Sequence, residues 1–516
     1  MKSKSGTKNR LFFSILIIFT CIFPARAKVY DITEFGAKGD SVTLNSQAIQ
    51  QAIDECAANG GGIVYFPAGK YLSGTIWLQN NIHLYLEQGA TLIATTDVTQ
   101  FPLQKSQMAS LRPDSYSLIY AEGKTNITIS GNGTINGQGN LAPYHILHQD
   151  QDAGVVRPKV ICMIECKNVN VKDITLKNSA SWMQHYLACE DVLIDGITVS
   201  NRYSSVNNDG IDIDCCKNVC IANCNINSED DCIVLKSTSS KICENVTITN
   251  CVLTSHCNAL KCGTESNGGF RNISISNCVI YDTYLTGIAL EIVDGGIMDL
   301  VNINNITMHR VNNPIFIKLG NRARPYSENI PVTDIGEMRN IQISNIQANE
   351  VGEFIETPDL DFSHHNARPK AAAVFITGLA EKDIQNISLE NFFINYKGGG
   401  TREDALVEVP ENPQAYPEYS SYGDIRPAYG FYCRNITKLT LKNIHLTFEK
   451  EDYRPAYIFD QVDYLFLDNI SGEKIKNNDQ PVIKIVRSKN SYVMLNPLLM
   501  IKGDIKTERC PKLIIE

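Results

Sequence analysis

Asn218-Val219-Cys220-Ile221, Asn245-Val246-Thr247-Ile248 and Asn272-Ile273-Ser274-Ile275 are one four-residue phrase written three times at a spacing of 27. Related phrases come earlier, at Asn126-Ile127-Thr128-Ile129, Asn168-Val169-Asn170-Val171 and Asp191-Val192-Leu193-Ile194, and from Asn168 the intervals are 23, 27, 27 and 27. Later copies stand at Asn340-Ile341-Gln342-Ile343, Asn386-Ile387-Ser388-Leu389 and Leu439-Thr440-Leu441-Lys442. Apolar side chains at every second position are the period of a strand with one buried face. Several such strands per unit, with no helix between them from about residue 80, predict an all-β chain wound as a single right-handed parallel β-helix. Each residue then lies over its counterpart one coil later, about 4.8 Å away.

Asparagine suits the turn that opens each unit, because it tolerates left-handed backbone and its amide can hydrogen-bond to the coil above. Many units also read Asn-x-Thr or Asn-x-Ser, the glycosylation acceptor pattern, but the repeat favours a ladder. Ahead of the repeats, Ser46 to Ala58 carries Ile49, Ala52, Ile53 and Cys56 on one helical face and ends at Gly60-Gly61-Gly62. A helix there, in a cap region at 28–78, would cover the open first coil, whose bare edge otherwise invites other chains. Lys397 to Arg426 breaks the period with Gly398-Gly399-Gly400 and Pro410-Glu411-Asn412-Pro413. The repeats resume at Tyr429, so 397–426 reads as a loop or lid inserted into one domain at 28–516.

Lys2, Lys4, Lys8 and Arg10 precede the apolar run Leu11 to Phe23, and Ala25-Arg26-Ala27 follows it. Residues 1–27 therefore read as a signal peptide, too short for a bilayer span, and predict export to the periplasm or the medium. A lipid anchor at Cys21 is the competing reading, weakened by Ile22-Phe23 after it and by missing small residues before it. Losing 1–27 removes five basic side chains and no acidic ones, which takes the formal charge from −9 to −14. Such a surface repels nucleic acid and other polyanions, so an acidic glycan would need a locally basic cleft. Seventeen cysteines in an exported chain first suggest disulfides. Cys224, Cys251 and Cys278, however, stand 27 apart at equivalent positions, as inward thiols packed like small hydrophobes would. Cys216, Cys220 and Cys224 have a metal-like spacing without a histidine beside them, which also favours packing.

The stretch from Ser204 to Ser266 concentrates polar groups that a scaffold does not need: Asn207-Asn208-Asp209-Gly210, Glu229-Asp230-Asp231 and His256. Asp209 and Asp230 are 21 residues apart, close to one coil, so they belong on adjacent rungs. In an ideal strand Asp231 would face inward, and a turn or bulge is needed for both members of the pair to reach solvent. Carboxylates gathered this closely cannot all ionise freely, and one keeps a proton. An acid to protonate a leaving oxygen, with a carboxylate to activate water or attack carbon, is what glycosidic cleavage requires. His256, one coil on, could tune the acid or be structural. Trp182 reads equally as cleft wall or sugar platform.

These residues resemble the polygalacturonase family, glycoside hydrolase family 28. Asn207-Asn208-Asp209 looks like the family's Asn-Thr-Asp, Glu229-Asp230-Asp231 like its Gly-Asp-Asp, and Ser255-His256-Cys257, loosely, like its Gly-His-Gly. Arg157-Pro158, Asn178-Ser179-Ala180-Ser181-Trp182 and Cys232-Ile233-Val234-Leu235-Lys236-Ser237 are similar to family segments. Phe35-Gly36-Ala37-Lys38-Gly39-Asp40 looks like the cap of pectin-degrading β-helices, and the resemblance covers nearly all of the mature chain. It implies a pectin-lyase-like solenoid that hydrolyses an α-linked pectic polysaccharide or oligosaccharide with inversion. Asp230 would be the general acid, Asp209 with Asp231 would hold the attacking water, and His256 would assist. Asn207, Lys236 and Trp182 would meet substrate, and neither cofactor nor metal is expected. Carboxyl groups one rung apart are nearer the spacing of retaining enzymes, about 5 Å, than the wider gap of inverting ones. The resemblance nonetheless implies inversion.

One motif departs. The family's Arg-Ile-Lys should fall within Gly287-Ile288-Ala289-Leu290-Glu291, where Ala289 and Glu291 fill the basic positions. An anion where a substrate carboxylate docks opposes binding. A neutral sugar is therefore expected there, from a rhamnogalacturonan-type chain or a substituted galacturonan, with Glu291 near a sugar hydroxyl. Arg322, with Arg324, could supply charge from a later coil. The competing classes are a β-helix polysaccharide lyase, which would use calcium and a basic residue, and a non-catalytic glycan-binding protein. The expected partner is the pectic glycan alone, with no nucleic acid, no membrane span and a monomeric chain.

Overall fold

The 27-residue period becomes a stack of coils. Val169 pairs with Val192, Val192 with Val219, Val219 with Val246 and Val246 with Ile273, each pair parallel and in register. Two further strands per coil stack in the same way, and the three parallel sheets wind as a right-handed parallel β-helix, the hand that parallel crossovers take. The structure is a computed structural model that describes residues 1–2, 28–145, 155–201, 205–353, 369–494, 496 and 502–516. Most of the signal-peptide pattern, 3–27, lies outside the described residues. Among the described residues no helix is long and apolar enough to cross a membrane.

Inward positions of all three sheets merge into one continuous core. The turn asparagines Asn168, Asn218, Asn245 and Asn272 take φ of 53 to 59°, the left-handed region that this side chain tolerates. Their amides form a ladder: Asn245 Nδ2 donates to Asn218 Oδ1 at 2.9 Å, and Asn272 Nδ2 to Asn245 Oδ1 at 2.8 Å. Such bonds net about 1 kcal/mol each and fix the register from coil to coil. Cys224, Cys251 and Cys278 are buried in the core, and none of the 16 described cysteines is in a disulfide. The helix Ser46–Ala58 lies over the first coils through Ile49, Ala52, Ile53 and Cys56.

The third sheet positions the site. Its outward column runs His185, Asp212, Val234, Lys261, Ala289, Phe316, Phe375 and Tyr432, one residue per coil. Among the described residues, two of the segments that leave the coil path return over this face. One is a short antiparallel ribbon of Gln104–Lys105 with Asp114–Ser115. The other is the insertion between the strands Ile384–Gly398 and Phe431–Lys450, which holds 3-10 turns at Asp404–Leu406 and Tyr419–Tyr422.

Candidate active site

Asp209 stands in the turn before the strand Ile211–Asp214, and Asp230 and Asp231 in the turn before Ile233–Ser237. Ile211 and Ile233 are register partners, so the three acids open at the same mouth one coil apart. Carboxylate oxygens of Asp209, Asp230 and Asp231 all lie within 4.8 Å of one another. A bend in the chain, not strand alternation, turns both members of the Asp-Asp pair outward. Asn208 pins that bend: its Oδ1 accepts from the backbone N–H of Glu229 at 3.0 Å and of Asp230 at 3.2 Å, while its Nδ2 donates to Asn201 O at 2.9 Å.

The three acids have different surroundings. Asp230 is the half-buried one; it accepts from the Asp231 backbone N–H at 2.9 Å and from Asn207 Nδ2 at 3.4 Å, and Asn207 Oδ1 accepts from Arg157 Nη2 at 3.1 Å. Asp231 is buried, with Oδ1 accepting from Asn258 N at 3.1 Å and Asn258 Nδ2 at 2.7 Å, and Oδ2 lying 3.1 Å from Lys261 Nζ. Asp209 faces Lys236 Nζ at 3.8 Å, and burial, with Asp212 and Asp230 beside it, pushes its carboxyl well above the usual range. Burial likewise pushes Asp212 up to about 8 against the pull of Lys236 and Lys159. The cleft therefore stores protons among its acids at neutral pH.

Cations surround this cluster. Lys236 Nζ lies 3.6 Å from Asp212 and 3.8 Å from Glu265; burial opposes its charge, but Glu265, Asp209 and Asp212 outweigh that and hold the amine above its ordinary range. Burial also opposes the charge of Lys261, and Asp231, together with Tyr416, Glu291 and Asp230, outweighs it. Glu265 meets Arg112 at 3.3 Å and Arg324 at 3.8 Å as well, so three cations share one carboxylate. The Trp182 ring has Lys159 Nζ at 4.7 Å, Lys236 Nζ at 4.9 Å and the Arg112 guanidinium at 5.3 Å, distances of cation–π contact.

These groups line a cavity of 540 Å³. Asp209, Asp230, Asp231, Asn207, Lys236, Trp182 and Arg322, all singled out in the sequence, are on its wall. His256 and Glu291 are not. The His256 ring is wholly buried, with Nδ1 2.8 Å from Glu229 Oε1 and its edge on the Tyr284 ring at 4.7 Å, so it buttresses the bend from behind; Asn258 takes the place beside the acid. Glu291 is also buried, and its Oε2 accepts from Thr264 Oγ1 at 3.3 Å. It packs where Gly263 leaves room, since a Cβ on Gly263 would come within 2.9 Å of the Glu291 Cβ. Burial pushes Glu291 up to about 8 in spite of Lys261. The expectation that Glu291 confronts substrate is corrected by this placement. Arg322 does reach the cavity, although Asp294 holds its guanidinium, with Nε to Oδ1 at 3.0 Å.

Lys261, Asp212, Glu265, Arg112 and Tyr416 were missed as site residues in the sequence. Counting one coil on from Val234 reaches Lys261. No period leads to Arg112, which the ribbon carries in, or to Tyr416, which the insertion brings to within 3.0 Å of Thr264 Oγ1.

Residues 67–364 match the profile of glycosyl hydrolases family 28. The chain belongs to that family. The matched span holds all three clustered acids and ends before the insertion. Among relatives of this family-28 chain, a probable polygalacturonase of Vitis vinifera is 36% identical over 222 residues, which is 41% of this chain and 45% of that protein. An exo-poly-alpha-D-galacturonosidase of Dickeya chrysanthemi is 29% identical over 254 residues, covering 40% of this chain and 41% of that one. The chain thus spans less than half the length of these two curated relatives. Two solved structures share the fold: an exopolygalacturonase of Thermotoga maritima, with TM-score 0.59 and 23% identity over 72% of this chain and 87% of its own, and a polygalacturonase of Erwinia carotovora ssp. carotovora, with TM-score 0.55 and 20% identity over 72% of this chain and 94% of its own.

Proposed function

We propose that this family-28 protein hydrolyses an α-linked, galacturonate-containing pectic glycan by acid–base catalysis with inversion. The observation that carries the reading is the trio of carboxylates within 4.8 Å, set among cations at the mouth of one cavity. Asp209 and Asp230 share a proton, as carboxylates this close do, and Asp230 is the more open of the two. Asp230 passes that proton to the glycosidic oxygen as its bond to the anomeric carbon breaks. Asp209 and Asp231 hold a water on either side, accept its proton and direct its oxygen to the same carbon. The acids are closer than the gap usual for inversion, so stereochemistry is itself part of the proposal.

The sugars beside the cut are read as acidic. Glu291 is buried off the cavity wall, and burial raises its carboxyl to about 8, so it sets no open anion against a substrate carboxylate; Arg112, Arg324 and Lys236 leave a net positive wall around Glu265. A substituted galacturonan offers carboxylates on both sides of the bond. A rhamnogalacturonan backbone, with a neutral sugar at every other position, offers one. The lyase alternative needs an uncharged base, and the two lysines paired with the acid trio, Lys236 with Asp209 and Lys261 with Asp231, are both held charged, while Lys159, which burial pushes down, lies 2.8 Å from His185 Nδ1 instead. Export rests on residues 1–27 alone and belongs to the proposal; cleavage after Ala27 on secretion checks it.

The test is proton NMR during hydrolysis of trigalacturonate, with a rhamnogalacturonan backbone run in parallel. The β-anomer of the new reducing end is expected first, with faster turnover of the galacturonate. An initial α-anomer overturns inversion, an unsaturated product overturns hydrolysis, and preference for the rhamnogalacturonan overturns the acidic-sugar reading.

A further inference from the structure

The outward face of the third sheet could offer a groove along most of the β-helix, as a surface that repeats in every coil does. Among the described residues it is open over only a few coils. Toward the N-terminus, the ribbon lays Met108 on Tyr120, Cys162, Ile164 and Leu187, outward side chains that are all buried. The ribbon is fastened by Ser106 Oγ to Glu122 Oε1 at 2.7 Å, by the Ser110 and Thr238 hydroxyls at 2.6 Å, and by the Leu111 backbone N–H to Thr238 O at 2.9 Å.

Toward the C-terminus, Phe316, Phe375 and Tyr432 continue the outward column as a ring stack, with centroids 5.4 and 5.7 Å apart. They too are buried, because Tyr422 of the insertion sits on them, 6.0 Å from Phe316 and 5.6 Å from Phe375. The insertion backbone runs along the next outward column, held by its own carbonyls. Arg434 donates to Val409 O at 2.8 Å and Pro410 O at 3.2 Å, Lys318 donates to Glu411 O at 3.3 Å, and the Asn321 backbone N–H donates to Pro413 O at 2.6 Å. A peptide thus fills the track that a longer glycan would need.

Building on the glycan-hydrolase reading, we propose that this chain works on the ends of its substrate, or on short oligosaccharides, because two segments outside the repeat close the groove at both ends. Trp182, Asp209, Lys236 and Lys261, from four successive coils, line the open stretch, on the order of 15 Å of face with room for about three sugar rings. The cavity over these coils, 540 Å³, falls in the size range of small-molecule sites. A chain closed in this way depends on a mid-chain depolymerase to supply it with ends.

Two measurements test it. With the full-length protein and polygalacturonan, mono- or disaccharide is expected from the first time point, while viscosity falls slowly; an early ladder of intermediate oligomers with rapid loss of viscosity overturns the proposal. With Asp230→Asn, calorimetric affinity for galacturonate oligomers is expected to rise up to about three rings and then level. A continued rise through hexamer overturns the closed groove even if no turnover is seen. Absence of both binding and turnover with every acidic glycan overturns the hydrolase reading and this inference with it. Replacing residues 404–424 by a short Gly-Ser linker is expected to shift products to longer oligomers; a folded variant with unchanged products overturns the assignment of the insertion as a stop.

Discussion

Asp231 and Lys261 meet at 3.1 Å across one coil, both side chains buried. Asn258 supplies two hydrogen bonds to Asp231 but no charge. In Lys261→Met the acid keeps those bonds and loses its counter-charge. Breaking a buried pair from one side costs about 3–5 kcal/mol. An unfolding free energy lowered by that amount, read as a lower urea midpoint, is expected, with turnover reduced roughly a hundredfold as the water-holding acid shifts. An unchanged midpoint would show that the pair contributes nothing to stability.

Asp230→Asn keeps the bend, since an amide oxygen can still accept from the Asp231 backbone N–H. Only the transferable proton goes. The expected result is a wild-type melting curve, KM within a few-fold, and kcat lowered by about a thousandfold or more. A modest fall in kcat would move the acid role to another member of the trio.

Glu291 gives a pH signature that separates it from the reacting acids. Its carboxyl rises from 4.5 to about 8 in the folded protein, chiefly through burial. Between those values the native state keeps a proton that the unfolded chain has released. The stability linked to neutral Glu291 is therefore fully present below about 4.5 and is lost as pH rises toward 8. Glu291→Gln has no such loss. Melting temperatures of the two proteins are expected to diverge in favour of the variant as pH rises through this window, then to run parallel above it. Parallel curves throughout would place the Glu291 carboxyl at its ordinary pKa.

Arg112 and Arg324 approach Glu265 from the ribbon and from the turn after Leu319, both half-exposed. If they also meet substrate carboxylates, Arg112→Gln and Arg324→Gln each raise KM for oligogalacturonate about tenfold or more, the worth of a hydrogen bond to a charged group. Carboxyl-reduced oligosaccharide, which lacks the anion, is expected to show no such change. Equal effects on both substrates would mean that the arginines only shape the wall.

The stack itself was legible because a β-helix repeats one local rule. A strand period of two, an asparagine in left-handed geometry and an interval of 27 define the register without reference to distant residues. The same arithmetic brought Asp209 and Asp230 to one mouth, but Asp231 joins them only through the bend that Asn208 holds. That arithmetic did not show that Glu291 is buried off the cavity wall, because that depends on the room that Gly263 leaves and on the Thr264 hydroxyl beside it. Nor did it separate His256 from Asn258, two positions on the same turn whose roles depend on which one faces Asp231.

By itself, the sequence determined the coil, its core, its asparagine ladder and the meeting of Asp209 with Asp230 on adjacent coils, since all of these follow from spacing along a single chain. Tertiary structure alone decided how much of the resulting groove stays open. Arg112 reaches Glu265 across 153 positions and Thr264 reaches Tyr416 across 152. Such contacts come from segments that obey no repeat, and their place is set by packing on a finished surface: Met108 on one set of outward side chains, Tyr422 on another.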